Sequence, residues 1–476
     1  MIDYFRIAKW LLVVSVLSVA LVTITTLFPF IVGKYAWFRA SIGLASLAFA
    51  LGLIFNIDSE KVWRRFLDVF KNPLVIAVSV FAAVFVLASF FGVDPGMSFW
   101  SNFERGEGGL QILCLYAFFL LAVTLFKEEK DWRRLIIFVI IGSLLMVFYG
   151  FGAGLKSIDA DKIVGYDSAN QPIKGGYWSQ TFNRFVGPAF SEKPFRFYGS
   201  IGNPAYAATY LIFSLAYCLY LLFAVRRKVF GWREYGLTFL SFFFFLFFLL
   251  ANTRGAFIGL FVALFAALCY LGFSLKNWRR KFLMIGLVII LLISCFVFFQ
   301  KTEFVQSLPF ARIFDLSVFT QTFQHRLLMW NIAFQGWQER PLLGWGPENY
   351  LNIFDKHFDP AYYVPGQQVG AWFDRAHSVY FDYLAETGIL GLLSYLGMFA
   401  AYYWLFFKNS RTGNDADSRE NLFLRAWFFV LPIAYLVQGL VLFEVLSIYQ
   451  HLFILMAFAA FKFGQPATLN NPKLKQ

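Results

Sequence analysis

Apolar residues in this chain come in long blocks, separated by short charged or polar breaks, and do not alternate with polar ones. A hydrocarbon core of about 30 Å needs roughly 20 apolar residues per helix. Twelve blocks meet that length, at 10–32, 36–56, 73–92, 108–126, 135–154, 204–224, 236–253, 255–274, 282–299, 385–407, 422–442 and 446–463. They predict an all-α integral membrane fold of about twelve transmembrane helices, one polytopic domain over 1–476 with a short tail at 464–476. The first block follows Arg6 and Lys9 and is too long, without a small-residue cleavage site, for a removed signal peptide. Two polar interruptions are too long to be connectors: 155–203, and 300–378 between helices nine and ten. Long ordered loops are more often functional than decorative.

Composition sharpens this picture. Charged residues make up 14% of the chain and apolar ones 59%, against roughly 25% charged in an average soluble domain. A soluble enzyme, a disordered chain and a secreted disulfide scaffold are excluded. Cys114, Cys218, Cys269 and Cys295 all sit in apolar runs and read as small buried hydrophobes. The net charge of +13 suggests nucleic acid only until its distribution is considered. One alternating set of loops, including Lys61–Lys71, Lys127–Arg134, Arg226–Arg233 and Lys276–Lys281, accounts for the whole +13 excess. By the positive-inside rule both termini are cytoplasmic, the two long loops face outward, and no nucleic-acid partner is needed.

Within the 300–378 loop, Phe323, Leu327, Trp330, Phe334 and Trp337 recur at helical spacing as one apolar stripe. Such a helix either lies in the membrane interface or packs on the rest of its loop. Charge near hydrocarbon is expensive and tends to face a cavity or a partner. Arg254, in Asn252-Thr-Arg-Gly255, interrupts two apolar blocks, and its fork of donors suits a phosphate. Snorkelling to lipid headgroups is the plainer role for it. Arg326 opens the striped helix. His377 lies where the loop re-enters the membrane, and nearby arginines would disfavour its cation. His325, His357 and His451 read as structural. No H-E-x-x-H, Walker A or G-x-S-x-G motif is present. Asp159-Ala-Asp161 and Asp415-Ala-Asp417 are D-x-D tripeptides in loop-like surroundings, so the expected metal complement is none.

Taken together, Thr253-Arg-Gly-Ala256, Arg326-Leu-Leu-Met-Trp330, Arg340-Pro-Leu-Leu-Gly-Trp-Gly-Pro-Glu-Asn-Tyr350 and His377-Ser-Val-Tyr-Phe-Asp-Tyr-Leu-Ala-Glu-Thr-Gly-Ile-Leu-Gly391 resemble the O-antigen ligase superfamily. Gly199-Ser-Ile-Gly-Asn-Pro-Ala-Tyr206 is similar to that family's approach to its middle helix, so the motif-bearing region runs over 199–391. The resemblance implies a GT-C-like membrane enzyme, without cofactor or metal, in a bacterial inner membrane. It would move a glycan from a polyprenyl-diphosphate carrier to an acceptor hydroxyl at the outer, periplasmic face. Carried over by motif, Arg254 and Arg326 bind the diphosphate and His377 is the base. Arg105, Arg196 and Asn203 are weaker candidates for donor or sugar contacts, and Asp382 or Glu386 are the reserve bases. Members differ in acceptor: a lipid A core for a ligase, another lipid-linked repeat for a polymerase, and protein Ser or Thr for an O-oligosaccharyltransferase. Ligation is favoured here. A transporter or flippase for the same lipid-linked glycan fits the helix count equally, but it calls for polar groups near the midplane, whereas these candidates cluster at the outer ends.

Overall fold

The computed structural model describes residues 2–23, 25–152, 163–166, 172–174, 197–224, 231–306, 321–358, 373–410 and 419–464. In chain order the principal helices are α1 (Tyr4–Ser15), α2 (Val32–Phe55), α3 (Pro73–Phe90), α4 (Gly109–Leu125), α5 (Glu129–Gly152), α6 (Pro204–Ala224) and α7 (Trp232–Leu250). They continue as α8 (Arg254–Ser274), α9 (Arg279–Phe298), α10 (Gln321–Glu339), α11 (Tyr350–His357), α12 (Val379–Ser410), α13 (Arg419–Gly439) and α14 (Leu446–Gly464). Two short strands, β1 (Ile163–Tyr166) and β2 (Pro172–Lys174), pair antiparallel with Ile163 opposite Lys174. Starts follow local chemistry. Asn72, for instance, accepts from the Leu74 amide at 2.9 Å ahead of Pro73, the first residue of α3.

Among the described residues ten helices are long and apolar enough to cross a membrane. They correspond to ten of the twelve apolar blocks. An eleventh block is α4, a shorter apolar helix. The expectation for 10–32 is corrected: this is not one continuous helix. α1 starts at Tyr4, capped by Asp3, tightens into a 3₁₀ segment at Val16–Ala20, and ends on the extended Leu21. Val13, Val14, Val16 and Val19 lose side-chain freedom in a helix, and tertiary partners take over the carbonyls this releases. The Lys34 ammonium donates to Leu21 O at 2.8 Å and to Ser200 O at 2.7 Å, while the Ser200 hydroxyl donates to Val19 O. Backbone at membrane depth has to be satisfied inside the protein.

The bundle is built around α14, in which every residue from Leu446 to Ala460 is buried. At the other extreme α9 buries only Gly286, so its apolar side chains face outward on nearly all sides. Residues 321–358, with 373–385, form a second small core of Leu328, Met329, Ile332, Ala333, Trp345, Tyr350, Ile353 and Phe354. α10 therefore packs on its own loop, but through the face next to the expected stripe. Leu327 and Phe334 each remain 41% exposed, and Trp330 stacks on Phe381 at 5.3 Å.

One joint fixes this loop to the bundle. α12 is broken at Gly388, where φ is +67°. Residues 341–346 cross the break as a strap. Ile389 donates to Pro341 O at 2.8 Å, Trp345 to Ala385 O at 3.0 Å, and Gly346 to Glu386 O at 2.8 Å. A Cβ on Gly388 would stand 2.3 Å from Leu342 O, so only glycine suits both the backbone conformation and the strap.

Candidate active site

Three segments converge at the end of the bundle that carries the strap. The first is the turn between α7 and α8. Ala251 ends α7, Asn252 takes a left-handed conformation at φ +46°, and Thr253 is extended as the N-cap of α8. Arg254 is thus the first residue of a 21-residue helix, where helix amides and dipole favour an anion. The second is α10. Arg326 is half-buried, and its Nε has no hydrogen-bond partner among the described residues. Burial lowers its pKa and the neighbouring Arg254 charge lowers it further, against an opposing effect of Tyr206. The two guanidinium groups therefore lie close enough for one charge to act on the other.

The third segment is the turn into α12. His377 sits at φ +57°, its ring held edge-on between Phe373 (5.5 Å) and Phe443 (5.2 Å). Its Nδ1 lies 3.1 Å from Arg375 O. A carbonyl can only accept, so Nδ1 carries the proton and Nε2 keeps its lone pair. Burial lowers the imidazole's pKa below its ordinary 6.5, and the positive charges of Arg326 and Arg105 lower it too, against the Arg375 carbonyl and Asp374. The ring is therefore predominantly neutral at pH 7.

His377 also lines a cavity of about 430 Å³. Its walls are aromatic (Phe30, Tyr35, Tyr206, Phe373, Phe443) with polar insertions from Asn203, Asp374 and Ser447. Arg105 lies in this wall, its Nε 2.7 Å from Asp374 Oδ2 and its guanidinium over Phe443 at 5.1 Å. Burial raises the Asp374 carboxyl's pKa, but the Arg105 hydrogen bond and charge outweigh it and hold that pKa below the usual range. Asn203 caps α6, accepting from the Ala205 amide at 2.8 Å. Arg254 and Arg326 are not among the cavity's lining residues, but Arg326 is close enough to Tyr206 in the cavity wall for their charges to interact. Arg196 and the Asp159/Asp161 pair lie outside the described residues.

Asp382 and Glu386 are brought near the site but stand behind it. Asp382 Oδ1 accepts from the Ala376 amide at 2.7 Å. Glu386 Oε1 accepts from Arg375 Nη1 at 2.7 Å and from the Glu348 amide at 3.1 Å. Arg375 is 5% exposed, pairs with Glu348 through Nη2, and has Glu107 at 3.8 Å. These groups lock the segment 375–377 in place, with the Glu107 carboxyl pushed by burial to a pKa of about 8. The motif reading missed Arg375, Glu107 and Glu348, whose partners are far apart in sequence. It also missed Lys34 and Tyr206. Lys34 carried a usable signal, a lone cation between two closely spaced apolar blocks. Tyr206 is buried in the cavity wall, and its hydroxyl has no hydrogen-bond partner among the described residues. His451 lies apart, caged by Tyr210 and Phe213 at 4.4 and 4.7 Å. Among the described residues no group of three or more Asp, Glu, His or Cys is arranged to hold a metal ion.

The fold and site together define a multi-pass membrane protein with a cationic, histidine-bearing recess at one end of its helical bundle. Residues 239–396, from α7 through the first half of α12, match the family model described as O-antigen ligase, which supports membership of the O-antigen ligase superfamily and a membrane glycan-transfer function. The match spans Arg254, Arg326 and His377. No curated protein matches the chain.

Proposed function

We propose that this protein transfers a glycan from a polyprenyl-diphosphate carrier to an acceptor hydroxyl at the outer face of a bacterial inner membrane, most specifically ligating O-antigen to a lipid A core. The observation that carries the proposal is a neutral histidine that both lines an aromatic cavity and lies within the field of Arg326, itself neighboured by Arg254. In a direct displacement the nucleophile approaches opposite the leaving group. The carrier's diphosphate sits on Arg254 and Arg326, and the acceptor's terminal sugar occupies the cavity, where aromatic faces and Asn203, Asp374 and Tyr206 suit a carbohydrate. His377 Nε2 takes the acceptor's hydroxyl proton as its oxygen bonds to the anomeric carbon. The bond from that carbon to the diphosphate oxygen breaks, and the diphosphate leaves with the electron pair. Fixed guanidinium donors stabilise the charge that develops on it. Metal is not required in this scheme.

Purified protein in detergent, given a lipid-linked glycan and a lipid A core acceptor, is expected to form the joined product. Formation only of longer lipid-linked chains would replace ligation by polymerisation. Movement of the donor across liposomes with no transfer in detergent would make the protein a transporter.

A further inference from the structure

The helices that frame the site also frame a second recess at their opposite ends. Lys34 and Tyr35, at the start of α2, line the cavity beside His377. Asn56, just past the end of α2, lines another cavity of about 450 Å³. The 24 residues of α2 separate the two by about 36 Å, so they open at opposite surfaces of the bundle. Arg6, Lys9, Lys127, Lys130 and Arg134 line this second cavity, against Asp3, Asp58 and Asp131.

The acids do not neutralise the cations. Asp131, 4% exposed, holds Lys9 at 2.9 Å and Arg134 at 3.6 Å. Asp3 caps α1 through the Arg6 amide at 3.0 Å and accepts from Asn56 at 3.2 Å. Lys130 pairs at 2.7 Å with Glu128, but both are largely exposed and gain little from it. Lys127 faces Arg65, Lys9 and Lys61 with only Asp58 opposing them, and burial followed by these like charges lowers its pKa. The rim is apolar and open, with Ile2 59%, Trp10 40% and Ile57 89% exposed. The Arg134 guanidinium lies over the Trp10 ring at 4.9 Å.

We propose that this recess binds the phosphate headgroup of an anionic phospholipid, its glycerol phosphate among Lys127, Arg6 and Lys130 and its acyl chains over Ile2, Trp10 and Ile57. Uncompensated cations between helix ends, beside exposed apolar side chains, match the chemistry of such a lipid and not that of a free anion. The occupant fills the recess between α1 and the ends of α2, α4 and α5. This site is independent of the transfer chemistry proposed above.

The test uses the full chain in nanodiscs of phosphatidylcholine with and without phosphatidylglycerol or cardiolipin, reading retained lipid by native mass spectrometry and thermal midpoint by fluorescence. Anionic lipid is expected to be retained and to raise the midpoint. Arg6→Gln/Lys127→Gln is expected to weaken retention about 25-fold, roughly fivefold for each cation near the surface, with an unchanged midpoint in phosphatidylcholine alone. Arg64→Gln/Lys71→Gln removes two exposed cations outside the recess and is expected to change little. Should the double variant fold poorly, Lys127→Gln alone, with about a fivefold loss, carries the same test. Undiminished retention by the recess variants overturns the proposal, as does an equal loss in the control. Equal stabilisation by inorganic phosphate in detergent, with no lipid present, also overturns it by making the recess a small-anion site.

Discussion

Replacing His377 with asparagine removes the proposed base while keeping a residue that tolerates the left-handed backbone at φ +57°. Asparagine can still donate to Arg375 O, so the turn between Ala376 and Ser378 keeps its main restraint. What disappears is the lone pair at Nε2 and its ability to take a proton. General-base catalysis contributes about 10²- to 10⁴-fold, or about 3–5.5 kcal/mol of barrier, and His377→Asn is expected to lose transfer within that range. The pH profile gives a second readout. Burial and the nearby arginines hold the imidazole's pKa below 6.5, so the base is unprotonated and active above that value. Transfer should fall as pH drops through the lowered pKa, with the acid limb centred below 6.5. The assay is initial-rate transfer by purified protein in detergent, alongside donor binding and thermal midpoint for each variant. Near-normal transfer by a well-folded His377→Asn protein refutes the assignment, and so does an acid limb that persists in that variant. Asp382 and Glu386, the carboxyls behind the turn, would then need re-examination.

Arg254→Lys keeps charge but loses the bidentate fork, and is expected to impair both donor binding and rate far more than a surface substitution such as Arg64→Lys. Equal behaviour of the two would make Arg254 a membrane anchor. Transfer should persist in excess EDTA, because guanidinium groups neutralise the leaving diphosphate. Loss with rescue by Mg²⁺ or Mn²⁺ would turn attention to Asp159 and Asp161. Gly388→Ala should destabilise the protein by about 2 kcal/mol or more, from the left-handed φ and the clash with Leu342 O. An unchanged thermal midpoint would mean that the strap and the helix break are not coupled.

The apolar blocks revealed nearly every long helix, because a membrane span has to satisfy its own backbone and therefore announces itself by length. Their hydropathy also carried information of a kind that differs from soluble proteins. α9 has the highest mean hydropathy of the candidate spans, 2.7, and the least burial, whereas α14, at 1.5, is the most enclosed. Block length could not show where helices break. The 3₁₀ segment after Ser15 depends on Lys34 and Ser200, and the Gly388 break on residues 341–346, all of them tertiary partners. Arg254, Arg326 and His377 could be singled out because each stands in a short motif, Arg254 and His377 beside apolar blocks and Arg326 at the start of the striped helix. Arg375 stands only two residues before His377, but its significance comes from Glu107 and Glu348, which only the fold brings to it. The expected stripe on α10 was a real apolar face, yet Leu328, Met329, Ile332 and Ala333 beside it are the residues that enter the small core.

The strap across Gly388 has a consequence for biogenesis. The loop containing α10 and α11 is synthesised before α12, yet the Trp345 and Gly346 amides and the Pro341 carbonyl of the strap bond to groups on α12. Until that later helix has emerged and threaded into the bilayer, the loop is translocated with those backbone groups still seeking partners. Folding of the loop-bearing end is thereby tied to topogenesis: a chain arrested after residue 378 has crossed the loop without assembling it, and a chain in which α12 inserts in the wrong sense has the strap and its receptor on opposite sides of the membrane. Such products are left open to proteolysis, so the joint acts as a checkpoint on insertion as well as a brace for the finished fold.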